Sequence, residues 1–263
     1  ELGDNVAAIR AAILGDELLR AALSARDAEV TVLAHTRWAS VGIISEPNAH
    51  PLDSAETDRP DTGYVVAALN GDVDNHLALV REHALAFPAE ITTDAKVIPA
   101  LFARRRADGL DREEAFRRTV ASFEGSVAIG ASLAEEPGEI LLALRGSGQA
   151  LYVGLAEEAY VVASEPYGVV EECSRYLRMD GETPGNRNNP TASRGQIIRL
   201  SRKDAGSVHG ITRAAYDGTR LPVSPDDLVR SAITTRDVDR GAFPHFLLKE
   251  ISESPRSFRK TLR

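Results

Sequence analysis

The hydrophobic periodicity of this 263-residue chain changes between helical and strand-like, and the order of the changes limits what the chain can fold into. Apolar residues recur at helical spacing in three segments that begin near Asp74, Asp94 and Asp111. Strand-like apolar runs stand on both sides of these segments, at 29–34, 64–69, 126–133, 139–145, 150–155 and 160–164. Strands in two groups with helices between them predict an α+β fold in which helices cover stacked sheets.

The remaining segments have weaker patterns. Residues 5–25 carry apolar side chains at helical spacing and predict one interrupted helix or two short ones. Residues 196–200 and 207–212 predict a hairpin, and 243–262 predict a short helix after a loop. The stretch 184–193 has few apolar residues and is interpreted as a mobile insertion.

Polar side chains suited to a small amino acid follow the two early strands. The segment HTRWAS contains Arg37, the apolar run 64–69 ends in Asn70-Gly71, and Asp94 follows two threonines. An arginine fork binds a carboxylate through two hydrogen bonds, and a carboxylate binds an ammonium group. An amide beside a backbone N–H can form an oxyanion hole. The set therefore indicates a site for a zwitterionic amino acid whose reaction passes through an oxyanion.

Each of these residues also has a purely structural interpretation. Asn70-Gly71 after an apolar strand is typical of a two-residue hairpin turn. Arg37 can be a surface arginine, Asp94 can cap the helix that follows it, and Trp38 can pack in the core or a loop. The residues alone leave these alternatives open.

Several segments, in their order along the chain, resemble the class II (N-terminal nucleophile) glutamine amidotransferases, and most closely the glutaminase domain of the glucosamine-6-phosphate synthase family. The segments are HTRWAS at 35–40, NAHP at 48–51, NGDVDNH at 70–76, TTDAK at 92–96, LRGSG at 144–148, VASE at 162–165 and LLKEI with SP at 247–255. The resemblance runs from about His35 to the C-terminus. It implies a four-layer αββα sandwich of the N-terminal-nucleophile hydrolase type, incomplete at its N-terminus.

The resemblance implies a role for each candidate residue. Asn70 and Gly71 would be catalytic, donating a side-chain and a backbone N–H to the oxyanion formed during glutamine hydrolysis. Arg37 would bind the α-carboxylate of L-glutamine, and Asp94 would bind its α-ammonium.

Two further residues are implied to contact the substrate, and two positions depart from the family. Trp38 would close the passage along which ammonia leaves, and Ser40 would keep the hydroxyl of the family's threonine. The family usually has histidine where this chain has Val41, and glutamate where it has Lys96. Both departures lie beside the expected substrate groups, so altered recognition of the amide donor is an alternative.

The family's nucleophile is an N-terminal cysteine, and this chain begins with Glu1. Its one cysteine, Cys173, follows two glutamates that would raise the thiol pKa and make it less reactive, so it is not expected to be the nucleophile. Residues 1–240 are therefore interpreted as a glutaminase domain lacking its first strand and nucleophile. Residues 241–263 would be a connector toward an absent sugar-isomerase domain.

The predicted function is glutamine hydrolysis that supplies ammonia for transfer to fructose 6-phosphate through that isomerase domain. This chain alone is expected to be inactive without the N-terminal cysteine, and a homodimer is one expectation for the full-length protein. One alternative is another class II amidotransferase with a different acceptor. The other is a non-catalytic paralogue that binds ligand without hydrolysis.

Composition excludes several partner classes. The net charge of −8 gives no basic surface for nucleic acid or a membrane, and no apolar run reaches the length of a membrane span. A single cysteine fits a reducing cytoplasm. The six histidines show no zinc-ligand spacing, so neither a metal nor another cofactor is expected.

Overall fold

The computed structural model describes residues 4–36, 40–58, 63–183, 194–231 and 240–262. The α-helices in these ranges are α1 (Asn5–Gly15), α2 (Glu17–Leu23), α3 (His76–Glu82), α4 (Val97–Ala107), α5 (Arg112–Ala121) and α6 (Phe246–Thr261). Cap residues start several of them: Asp4, Asp16 and Asp111 each accept a backbone N–H from the first turn that follows. No helix in the described ranges combines the length and apolar character needed to cross a membrane.

The strands form two antiparallel sheets. They are β1 (Leu52–Asp53), β2 (Val65–Gly71), β3 (Val127–Leu133), β4 (Glu139–Arg145), β5 (Tyr152–Ala156), β6 (Ala159–Ala163), β7 (Arg175–Arg178), β8 (Gln196–Ser201), β9 (Ile211–Ala215), β10 (Arg220–Leu221) and β11 (Leu228–Arg230). The larger sheet has the order β1-β2-β3-β4-β8-β9-β10, and the smaller has the order β11-β7-β5-β6. The α+β class predicted from the periodicity is confirmed.

Alternate residues of the central strands supply two separate apolar cores. On one face of the larger sheet, Leu141 and Ile129 pack with side chains of α4 and α5, including Phe102 and Phe116, whose ring centroids lie 5.3 Å apart. On the other face, Leu142 packs with residues of the smaller sheet. The contacts thus define three layers, helices, sheet and sheet. The expected fourth layer stays a prediction.

Most predicted elements agree with the structure, and one is wrong. The hairpin expected at 196–212 is β8 and β9, and the two short N-terminal helices are α1 and α2. The strand predicted at 29–34 has no regular secondary structure. There the Thr31 hydroxyl donates to the Pro137 carbonyl at 2.8 Å, and Glu29 pairs with Arg202. Side-chain contacts thus hold the segment outside a ladder, where β propensity alone does not make a strand. The predicted insertion at 184–193 lies outside the described residues.

Candidate amino-acid site

An open cavity of about 1280 Å³ lies against the face of the larger sheet that is turned toward the smaller one. Leu142 and Leu200 line it from the larger sheet, and Tyr160 and Val162 from the smaller. The segment 28–36 closes one side. Asn70, Gly71, Asp72 and Asp94 line the cavity near the end of β2, where the sequence predicted candidate residues.

Asn70 and Gly71 are the last residues of β2 and pair with Ala128 and Val127 of β3. They therefore continue a ladder, and the hairpin-turn interpretation is wrong. Both line the cavity. Within the described part of the chain, the Asn70 carboxamide makes no hydrogen bond, so its N–H groups are available to a ligand.

Gly71 has a physical reason to be glycine. Its φ is +114°, and a Cβ at this position would lie 2.0 Å from the Ser126 carbonyl oxygen. The strand end can therefore approach β3 this closely only without a side chain. The same conformation starts the turn that carries the chain from the sheet to α3.

Asp94 lies in the same cavity, only 4% exposed, in a short 3-10 turn that leads into α4. Its Oδ2 accepts the backbone N–H of Val73 at 2.6 Å. Thr93, not Asp94, is the residue that caps the turn, through a 3.4 Å hydrogen bond from the Ala95 N–H. The N-cap interpretation of Asp94 is therefore wrong, and its carboxylate remains directed at the cavity region.

The electrostatic setting of Asp94 favours a cationic ligand. Burial raises the pKa of its carboxyl group, and the Val73 N–H and the charge of His76 partly oppose that rise. The nearby Asp72 carboxylate adds to the rise. A bound ammonium would supply the positive charge that this buried carboxylate lacks.

Ser40 also lines the cavity, and its hydroxyl donates to Oδ1 of Asp72. Asp72 was not identified from the sequence, although it directly follows the Asn-Gly pair that was. Arg37 and Trp38 lie outside the described residues, so their predicted roles stay predictions. Their described neighbours His35 and Thr36 line the cavity.

The two departures from the family differ in where they lie. Val41 lines the cavity. Lys96 does not: its side chain is buried, and its Nζ donates to the Asp53 carboxylate at 2.8 Å and the Asp53 carbonyl at 2.9 Å. Asp53 therefore pairs with the Lys96 ammonium outside the cavity lining, and this change of charge places no lysine in the cavity.

The NAHP segment, residues 48–51, contacts the backbone next to two of the candidate residues, Asn70 and Asp94. The Nδ1 atom of His50 lies 3.1 Å from the Leu69 carbonyl, one residue before Asn70, and its ring is 4.8 Å from that of His35. Asn48 binds the loop that precedes Asp94. The motif was recognised in the sequence without a role, because partners some 20 to 45 residues away cannot be read from one chain.

Cys173 is buried and does not line the cavity. Burial is the larger cause that raises the pKa of its thiol, and the charge of Glu172 adds to it. This geometry agrees with the expectation that Cys173 is not the nucleophile. Among the described residues, no group of three histidine, cysteine, aspartate or glutamate side chains is placed to hold a metal ion.

Sequence relatives support the resemblance on which the site was predicted. The glutamine–fructose-6-phosphate aminotransferase (isomerizing) of Bacillus licheniformis is 30% identical over 248 residues, which are 93% of this chain and 36% of that protein. The enzymes of the same name from Geobacillus kaustophilus and Streptococcus mutans are 29% identical, over 88% and 93% of this chain and 34% and 35% of theirs. The chain thus spans about a third of the length of these relatives. No protein-family model matches it.

Among solved structures, glutamine phosphoribosylpyrophosphate amidotransferase from B. subtilis superposes with a TM-score of 0.49 at 20% identity, over 69% of this chain and 34% of that one. The similarity to the glutamine–fructose-6-phosphate aminotransferases extends over nearly the whole chain, and the described candidate residues Ser40, Asn70, Gly71 and Asp94 line one cavity. It is therefore homologous to the glutamine-hydrolysing part of the glutamine–fructose-6-phosphate aminotransferases, as the class II amidotransferase motifs predicted.

Proposed function

We propose that this chain binds L-glutamine in the cavity at the end of β2 and serves as the glutaminase part of an enzyme that aminates fructose 6-phosphate. The observation that carries the proposal is that Asp94 lines the same cavity as the adjacent pair Asn70 and Gly71, although it lies on a different element. A carboxylate for an ammonium group and amide donors for an oxyanion are two of the features that glutamine hydrolysis uses, beside the nucleophile.

Each described residue of the site has a separate role in the proposed reaction. Asp94 binds the α-ammonium, and Asn70 Nδ2 with the Gly71 N–H stabilises the oxyanion formed when a nucleophile adds to the side-chain carboxamide. Collapse of that intermediate releases ammonia and, after hydrolysis, glutamate. Arg37 on the α-carboxylate and Trp38 at the exit for ammonia complete the proposal, and Ser40 orients Asp72 at the rim.

The wider assignments rest on the relatives. Residues 1–240 would form the glutaminase domain and 241–263 the connector to a sugar-isomerase domain, an assignment supported by relatives whose names include an isomerizing activity. The intact enzyme acts in the cytoplasm, without a nucleic-acid or membrane partner, and pairs as a homodimer. The acceptor fructose 6-phosphate is favoured over other acceptors because the named relatives use it.

Glutamate release from L-glutamine by the intact gene product tests the proposal. The Asn70→Ala variant is expected to lower kcat by about 100-fold, the usual effect of removing one oxyanion donor, with little change in KM. Its melting temperature should stay near that of the wild type, since the carboxamide bonds to no described residue. Glutamine that binds but is never hydrolysed by the intact protein would instead support a non-catalytic paralogue.

A further inference from the structure

Asn48 is fully buried and uses both ends of its carboxamide. Its Oδ1 accepts the backbone N–H groups of Thr92 and Thr93, at 2.8 and 2.9 Å. Its Nδ2 donates to the Ser45 hydroxyl at 2.8 Å and to the Glu90 carbonyl at 2.9 Å. One side chain therefore replaces the ladder partners that the loop at 90–93 does not have.

A second contact holds the same loop from the same side. A Cβ at Gly42 would lie 2.9 Å from the Thr93 nitrogen, so the two backbones approach as closely as a glycine allows. The Ile43 N–H donates to the Thr92 hydroxyl at 3.2 Å. The segment that leads to NAHP thus wraps the loop that leads to Asp94.

Two anchors then define where the Asp94 carboxylate lies. Asn48 fixes the backbone at Thr93, the residue directly before Asp94, and the Val73 N–H fixes Oδ2 at 2.6 Å. Val73 follows Gly71 by two residues, so this hydrogen bond ties the ammonium site to the oxyanion site. Asn48 itself does not line the cavity and cannot contact a ligand there.

We propose that Asn48 is a positioning residue for the amino-acid site: it sets affinity for the α-ammonium of the substrate by holding the Thr92–Thr93 backbone that aims Asp94. The inference rests on the proposed function, since it requires an amino-acid ligand. It deepens that function by assigning ammonium recognition to a residue that never touches the ligand.

The test compares two ligands that differ only in the ammonium group. L-glutamine and 4-carbamoylbutanoate, the same molecule without its α-amino group, are titrated by calorimetry into the wild type and Asn48→Ala. A matched control is Asn75→Ala, because Asn75 also bridges two backbone groups, the Ser122 carbonyl at 2.9 Å and the Glu124 N–H at 3.0 Å, without contacting the loop before Asp94.

The wild type should prefer L-glutamine, and Asn48→Ala should reduce that preference about tenfold, the effect of losing one well-aimed charged contact. Binding of 4-carbamoylbutanoate should be nearly unchanged, and Asn75→Ala should keep the wild-type preference. If Asn48→Ala does not fold, Asn48→Ser carries the same expectation, with a smaller change.

Two results would overturn the inference, and they are distinguishable. If an Asn48 variant binds both ligands more weakly by the same factor, Asn48 has only a general structural role. A wild type that binds neither ligand removes the proposed function, and this inference falls with it.

Discussion

The two faces of the larger sheet come from alternate residues of the same strands, yet one is closed and the other is open. Leu141 and Ile129 face α4 and α5 in a continuous apolar core, whereas Leu142 faces the cavity of about 1280 Å³. The closed face stabilises the sheet, and at the end of β2 the open face leaves the Asn70 carboxamide without a hydrogen bond to a described residue. The site therefore lies on a sheet whose opposite face is packed against helices, and a site on such rigid elements is positioned more precisely than one on loops.

The largest effects are expected from truncating one leucine in each of the two cores. Leu101 of α4 and Leu142 of β4 are 1% and 2% exposed. Leu101→Ala should lower the free energy of unfolding by about 4 kcal/mol, because it leaves a closed void. Leu142→Ala should cost about 2 kcal/mol, because the removed volume joins a cavity that already exists. Urea denaturation measures both, and equal losses would contradict the contrast between the faces.

A substitution at the end of β2 tests the strand geometry under the open face. Gly71→Ala should lower the free energy of unfolding by about 3 kcal/mol, since it combines positive φ with a Cβ placed against the Ser126 carbonyl. Gly109→Ala is the control, because Gly109 also has positive φ (+88°) but open space around it. A loss of about 1 kcal/mol is expected there. If Gly71→Ala loses no more unfolding free energy than Gly109→Ala, the close approach to β3 does not contribute to stability.

Breaking the ion pair between Lys96 and Asp53 should lower the free energy of unfolding by a smaller amount. Asp53→Ala leaves the Lys96 ammonium buried without its carboxylate and should cost about 2 kcal/mol, less than a fully buried pair because the Asp53 side chain is 41% exposed. Adding Lys96→Met should recover most of that loss in urea denaturation. Losses that simply add in the double variant would mean that the two side chains do not stabilise each other.

The smallest expected effect is that of Asp94→Asn, which should not lower stability and can raise it. The pKa of Asp94 is raised by burial in the folded protein, so the folded state holds the proton more tightly than the unfolded chain. Its ionised carboxylate therefore costs stability above the folded pKa, and that cost disappears as the pH falls through the folded value toward 3.8. Asp94→Asn should melt no lower than the wild type at pH 7, with the difference shrinking at acid pH. A variant that melts well below the wild type at pH 7 would contradict this.

Local pattern was enough to predict much of the scaffold. The apolar run at 139–145 is β4 with the same bounds, and Asp111, near which the third helical segment was expected to begin, caps α5. These elements carry their own signals, a continuous apolar run in one case and a helix cap in the other. Asn70 and Asp94 were found because their motifs are local as well.

Contacts between distant segments could not be predicted in the same way. The strand expected at 29–34 depends on a ladder partner that its own residues do not specify. The Asp72 carboxylate accepts a hydrogen bond from Ser40, and Asn48 accepts one from a loop more than 40 residues later. Neither contact is specified by the residues next to it in sequence. Lys96 stands where the family has glutamate, and its partner Asp53 lies 43 residues earlier in the chain. The sequence does not specify that pairing.

Calorimetric titration of L-glutamine into the wild type and Asp94→Asn tests the central claim most directly. The wild type should bind, and the variant should bind at least tenfold more weakly while melting no lower, because the lost contact is a charged hydrogen bond worth about 1.5–3 kcal/mol. Equal binding by the two folded proteins would show that the buried carboxylate at the end of β2 does not hold the α-ammonium, and the assignment of this cavity would fail.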